Sequence, residues 1–200
     1  MLGAVALTIL LASSACTRSA TDRGTAGGTV ATEPLPTTTT NPYAVPAVID
    51  VAYINRVLAG LDAVRGNTLR IVIRTNTIPP EAYDQVKALY TNPAPMQETI
   101  DGYQRGIRER FVNYKPDPGN RISTVARIVT TQPTCIFVQV KRDYSAVSLN
   151  PTGDFQTQWV GLRPLDQARD PHGYNPTSWA YVYDGFEPDR SQPSDPCAKS

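Results

Sequence analysis

Residues 122–140 read ISTVARIVTTQPTCIFVQV, two runs rich in β-branched and apolar residues around a Gln132-Pro133-Thr134 turn. Ile122, Thr124, Ala126 and Ile128 alternate with Val125, Arg127 and Val129, a period of two that fits a pleated strand. Cys135 to Val140 follow as the second run, and two such runs across a short turn predict an antiparallel hairpin. Residues 155–162 and 178–186 predict two further strands. In the second, strict alternation puts Trp179, Tyr181 and Tyr183 on one face and Ala180 and Val182 on the other. A long loop, Arg163 to Thr177, connects them.

Towards the N-terminus the period becomes helical. Ile54, Val57, Leu58, Leu61 and Val64 recur at i, i+3, i+4 and i+7, with Asp50 as an expected N-cap and Gly66 as an expected stop. Leu69, Ile71 and Ile73 alternate over too short a stretch to favour a strand, and Asn67 to Arg74 is read as a separate helical segment after a cap-like Asn67. Pro79-Pro80-Glu81 opens another helix, in which Ala82, Val86, Leu89 and Tyr90 share a face, and Asn92-Pro93 closes it. Met96, Ile100, Tyr103, Ile107 and Phe111 mark one more. Helices first and antiparallel strands afterwards predict an α+β domain over residues 47–200, with N-terminal helices packed on a curved antiparallel sheet.

The first 46 residues differ in composition. Residues 2–12 (LGAVALTILLA) are an uncharged apolar run that ends in Ser13-Ser14-Ala15-Cys16. An apolar run of this length before small residues is a signal-peptide pattern, too short to span a bilayer. Residues 17–46 hold Gly27-Gly28, Pro34, Pro36, Thr37 to Thr40, Pro42 and Pro46. So few large apolar groups cannot offset the entropy of ordering, and the segment is expected to be a disordered tether. No stretch after residue 16 approaches the ~20 apolar residues that cross a membrane.

The small-residue cluster followed by Cys16 resembles the lipobox of bacterial lipoproteins. The resemblance implies a signal peptide over 1–16, lipid attachment to the Cys16 thiol, and a protein held on the outer face of the cell membrane. Ser13 stands where that family usually has Leu, and no Lys or Arg precedes Cys16. Ser13-x-Ala15 also fits ordinary signal cleavage, which would release a secreted protein. Lipidation leaves two thiols, Cys135 and Cys197, an even number in an oxidising compartment. A disulfide between them would tie the Pro- and Ser-rich C-terminal tail to a strand; the alternative is two free thiols.

The order of elements over 47–200 is similar to the cone-shaped nuclear transport factor 2-like fold. Pro133-Thr134-Cys135-Ile136-Phe137, Arg142-Asp143-Tyr144-Ser145 and the late Pro196-Cys197 resemble uncharacterised actinobacterial lipoproteins. Neither likeness implies an activity.

Nineteen basic and 18 acidic residues leave a net charge of +1, which supplies no field for nucleic acid. A single histidine, His172, lies in a turn-forming loop, and if Cys135 and Cys197 are oxidised the chain has too few soft ligands for zinc. No nucleophile elbow, phosphate loop, dinucleotide fingerprint or CxxC occurs. No catalytic residue, metal site or cofactor is therefore assigned. Arg105, Arg108 and Arg110 form a basic stretch that reads either as an anion-binding patch or as a solvated helix face with Arg105 and Glu109 paired at i,i+4. Lys141-Arg142-Asp143-Tyr144 leaves a strand end, where it could line the mouth of a cone or blunt a sheet edge. Trp159, Trp179, Tyr181 and Tyr183 could line a ligand cavity, or simply pack the core.

The preferred reading is a non-catalytic, lipid-anchored envelope protein that binds a small apolar ligand or an envelope partner. Its rivals are an enzyme of the same fold, with Asp143, His172 or Asp184 as base, and a structural component of a secretion or conjugation apparatus. A cavity with a free carboxylate at its floor would favour the enzyme.

Overall fold

The computed structural model describes residues 41–150, 156–185 and 192–198. Cys16, the leader, residues 17–40 of the expected tether and Phe155 lie outside the described residues. Among those described, three α-helices precede four strands. The helices are α1 (Val51–Thr75), α2 (Pro80–Leu89) and α3 (Pro93–Arg108); the strands are β1 (Ile122–Gln132), β2 (Cys135–Asp143), β3 (Gln156–Pro164) and β4 (Trp179–Gly185). The strands form one antiparallel sheet in the order β1-β2-β3-β4, with the helices packed against it, so the chain is an α+β protein.

Asp50 caps α1 as expected, its Oδ1 accepting from the Tyr53 amide at 2.7 Å. The helix does not stop at Gly66. It runs on to Thr75 and ends at Asn76, whose φ of 50° is the left-handed cap that Asn tolerates, so the two segments expected at 51–66 and 67–74 are one helix. Gly66 serves packing instead of termination: a Cβ there would meet Asn120 Oδ1 at 2.1 Å. Glycine inside a helix costs about 1 kcal/mol relative to Ala, and here it lets the Asn120 segment approach α1.

The pattern through Phe111 also overruns its helix. α3 ends at Arg108, and the Phe111 amide returns to the Gly106 carbonyl at 2.8 Å while the Arg110 amide bonds Ile107 at 3.1 Å. Arg110 and Phe111 both take positive φ, and the pair of bonds is a Schellman cap. It lays the Phe111 ring on Gly106, where a Cβ would lie 2.3 Å from Cε1. Glu109 falls outside the helix as its C-cap, so the expected i,i+4 pairing with Arg105 does not form and both side chains stand in solvent.

The expected hairpin is present and longer than its apolar runs, with Gln132 paired to Cys135 across Pro133-Thr134. Alternation along β2 sends Ile136, Val138 and Val140 to the helices, where they join Ile54, Leu58, Leu61, Val86, Leu89, Trp179 and Tyr181 in the main core. Cys135 and Phe137 point to the opposite face and pack with Trp159 and Cys197 in a second, smaller cluster. Cys135 and Cys197 are joined in a disulfide with Cα atoms 5.6 Å apart. The tail it holds is stitched to that face by Thr130 Oγ1 donating to Asp195 at 2.6 Å and Arg163 Nη2 donating to the Pro196 carbonyl at 2.9 Å. Arg127 stacks over Trp159, 5.3 Å from the ring centre.

On β4 the pairing slips. Tyr181 faces Leu162 and Tyr183 faces Gly161, so Val182 is an extra residue opposite a single β3 step. The bulge reverses the alternation beyond it. Trp179 and Tyr181 point to the helices, Tyr183 packs against the second cluster, and Asp184, opposite Val160, returns to the helix side.

Candidate functional site

Four of the five charged groups at the heart of the site sit on regular elements facing inward. Asp62 and Arg65 lie on the buried stripe of α1 between Leu58, Leu61 and Leu69. Arg142 continues the inward phase of β2 after Val140, and Asp184 is turned inward by the β4 bulge. Arg121 comes from the segment just before β1.

Asp184 is the hub. Its Oδ2 accepts from Arg65 Nη1 at 2.7 Å and lies 3.7 Å from Arg121 Nη2, while Arg142 Nη2 stands 2.6 Å from Oδ1. A second carboxylate, Asp62, takes Arg121 Nε at 2.6 Å and the Ser123 amide at 2.8 Å. Arg142 is bound further by Ser123 Oγ at 3.2 Å and by the Gln158 side-chain carbonyl. Arg121 Nη2 also donates to Tyr181 Oη at 3.2 Å. The side chains of Arg121, Arg142 and Asp184 are 6%, 2% and 3% exposed, whereas that of Arg65 is 26% exposed. Arg121 and Arg142 are therefore locked into the fold, and Arg65 is the guanidinium that meets solvent.

Above this cluster lies a cavity of about 380 Å³, walled by α1, α3 and the ends of β2 and β4. Leu69, Tyr103, Tyr114, Tyr144 and Val147 supply much of its wall. Exposed Glu98 and Arg105 stand at it with opposite charges. Tyr90 Oη links floor to wall, accepting from Arg65 Nη1 at 2.9 Å and pairing with Thr99 Oγ1 at 2.9 Å. Tyr103 is 8% exposed, and its hydroxyl has no hydrogen-bond partner among the described residues.

The electrostatics follow from burial against charge. Burial alone would drive the Asp184 carboxyl up, but Arg142, Arg121 and Arg65 outweigh it and hold the group well below the usual carboxylate range. Burial pushes the Tyr103 phenol up to about 12, against the pull of Arg65. Tyr144 goes the other way: burial would raise it, yet Arg121, Arg142 and Arg65 together bring it below its ordinary value. Among the described residues three guanidiniums face two carboxylates in this cluster, which leaves one positive charge unmatched there.

The aromatic residues expected to share a cavity are divided between the two faces of the sheet. Trp179 and Tyr181 are fully buried in the main core, the Trp179 indole donating to Tyr53 Oη at 2.8 Å. Trp159 stacks on Phe137 at 5.4 Å on the far face, where Tyr183 also packs. None of the four lines the 380 Å³ cavity; the β4 bulge is the reason Tyr183 leaves the face of Tyr181. Of the three expected bases, His172 is exposed in its loop and Asp143 caps a turn by accepting from the Ser145 amide at 2.7 Å. Only Asp184 reaches the cavity.

No protein-family profile, no curated protein and no solved structure matches this chain. The site must be read from its own chemistry. Arg142 and Tyr144 belong to the stretch singled out at the end of a strand, and Arg105 to the basic stretch of α3. Asp62 and Arg65 carry a signal that periodicity alone overlooks: two charged residues inside an apolar helical stripe are costly unless paired. Arg121 has no such mark. Among the described residues no group of three His, Cys, Asp or Glu side chains could hold a metal ion, and no helix is long and apolar enough to cross a membrane.

Proposed function

We propose that this chain is an exported, lipid-anchored envelope protein whose α+β domain holds a small ligand without transforming it. The observation that carries the binding half of this reading is the cavity over Arg65, Arg121, Arg142 and Asp184. Charged side chains are expensive to bury, and a preformed hollow with a few converging polar groups is the usual form of a small-molecule site. Its floor carboxylate is ion-paired on both oxygens and held ionised by the guanidiniums around it. A general base needs a proton affinity near working pH, and that of Asp184 is driven far below it. This weighs for binding over the enzyme alternative despite a carboxylate at the cavity floor.

The export half rests on residues 2–12 and Cys16, read as signal peptide and lipid site, with residues 17–46 as the tether that lifts the domain from the membrane. The Cys135–Cys197 disulfide suits an oxidising compartment and supports that placement. Kinship with the nuclear transport factor 2-like fold is supported by the order of helices and antiparallel strands and by a cavity between them.

The test is native mass spectrometry of the full chain extracted from its own membranes in detergent, alongside labelling with a clickable palmitate. A co-purifying small molecule lost on denaturation, and a palmitate label abolished by Cys16→Ser, are the expected results. A chain that leaves the membrane fraction empty-handed in every preparation overturns the ligand reading. Wild-type protein that takes no label overturns the anchor.

A further inference from the structure

The ligand of this cavity has a chemistry that its side chains dictate. Arg65 makes both of its bonds through Nη1, to Tyr90 Oη and to Asp184 Oδ2, so the Nε and Nη2 edge of its guanidinium has no partner among the described residues. That edge presents two parallel N–H donors, the spacing of the two oxygens of a carboxylate. A second donor waits in the same hollow, since the Tyr103 hydroxyl is buried and has no partner among the described residues. Leaving a buried hydroxyl unsatisfied is costly, and its persistence in a cavity wall marks a place for a ligand atom. The charge tally agrees: among the described residues the cluster has one unmatched positive charge, and Glu98 and Arg105 cancel at the wall. Leu69, Pro95, Val147 and the tyrosine rings give part of the lining an apolar and aromatic character, which suits an apolar or aromatic body.

Resting on the ligand-binding reading above, we infer that the cavity takes a small monocarboxylic acid with an apolar or aromatic body, its carboxylate paired with Arg65 and bonded by the Tyr103 hydroxyl. Arg121 and Arg142 stay engaged with Asp62 and Asp184 and act as the fixed floor. A neutral isostere gives the Nε and Nη2 edge of Arg65 no charged acceptor and binds more weakly. A phosphate monoester brings a second negative charge for which the cluster has no match, and binds more weakly than the carboxylate.

Benzoate, benzamide and phenyl phosphate are the probes, titrated calorimetrically into the full chain in detergent and into two variants. Benzoate is expected to bind, benzamide to bind at least tenfold more weakly, and phenyl phosphate to fall below benzoate. Tyr103→Phe removes only an unpartnered hydroxyl, so its thermal stability is expected to match wild type while benzoate affinity falls about tenfold or more. Arg65→Gln is expected to abolish benzoate binding, and Tyr103→Phe keeps the test valid if that variant fails to fold. No benzoate binding at millimolar concentration, equal binding of benzamide, tighter binding of phenyl phosphate, or unchanged benzoate affinity in Tyr103→Phe each overturns the inference. A co-purifying small molecule that lacks a carboxylate overturns it too, while leaving the ligand-binding reading intact.

Discussion

Tyr181 and Asp184 face the same side of the sheet although three positions separate them on β4. In an unbroken strand they would point to opposite faces. Val182 makes the difference, because Tyr181 pairs with Leu162 and Tyr183 with the adjacent Gly161. One extra residue carries a carboxylate to three inward-facing guanidiniums and sends Tyr183 to the disulfide side.

Deleting Val182 removes the extra residue and leaves Tyr183 opposite Gly161 and Asp184 opposite Val160, so the carboxylate still faces Arg65, Arg121 and Arg142. Inserting one alanine between Tyr183 and Asp184 instead turns the carboxylate to the far face. Stripping buried charges of their counter-ion costs about 3–5 kcal/mol, so the insertion is expected to lose at least the lower figure in chemical denaturation and the deletion less than that. An insertion variant with a wild-type unfolding midpoint would show that strand register does not place the carboxylate.

Asp184→Asn leaves the backbone register alone and removes only the charge, with an expected loss of about 3–5 kcal/mol at neutral pH. The folded carboxyl is held below its unfolded value, so its contribution is full above the unfolded pKa of about 3.9. It fades as pH falls from there through the lower folded value. The gap between wild type and Asp184→Asn should therefore be constant from pH 5 to 8 and narrow in acid. A gap that widens below pH 4 would contradict the ion-paired assignment.

Tyr144 and Tyr103 should titrate far apart although both line one cavity. Spectrophotometric titration is expected to show a phenol ionising below the usual tyrosine value, and Tyr144→Phe should remove that step. Tyr103 resists to about 12. Survival of the early step in Tyr144→Phe would place the guanidinium field elsewhere.

The disulfide spans 62 positions along the chain, and the chain-entropy account assigns a closure of that length about 4 kcal/mol. Cys197→Ser should lose about that much in denaturant unfolding. Benzoate affinity should be kept, because the tail packs on the face of the sheet opposite the cavity. Loss of binding with intact folding would show that the two faces are coupled.

The element order was legible because helical and strand periods are strong over amphipathic runs: α1, α2 and β2 follow their apolar spacing, while β1 is interrupted by two register shifts and leaves Ile122 and Ile128 exposed. The boundaries that misled are those where a residue serves two ends. Gly66 reads as a stop yet makes room for Asn120, and Phe111 extends the period of α3 yet folds back onto Gly106. The site was less legible. Asp184 was in view only as a base, and strict alternation, blind to a bulge, kept Tyr183 beside Tyr181. Arg121 lies outside any periodic run, so nothing local marks it; its role exists only once Asp62 of α1 and Asp184 of β4 converge on it.

The division of labour among the guanidiniums is the claim most exposed to a direct measurement. In a two-dimensional NMR spectrum of the arginine Nε–H groups, benzoate titration should move the Arg65 resonance. Those of Arg121, bound to Asp62, and Arg142, bound to Ser123, should stay in place. Movement of Arg121 or Arg142 with Arg65 unmoved, or no guanidinium response at saturating benzoate, would contradict it.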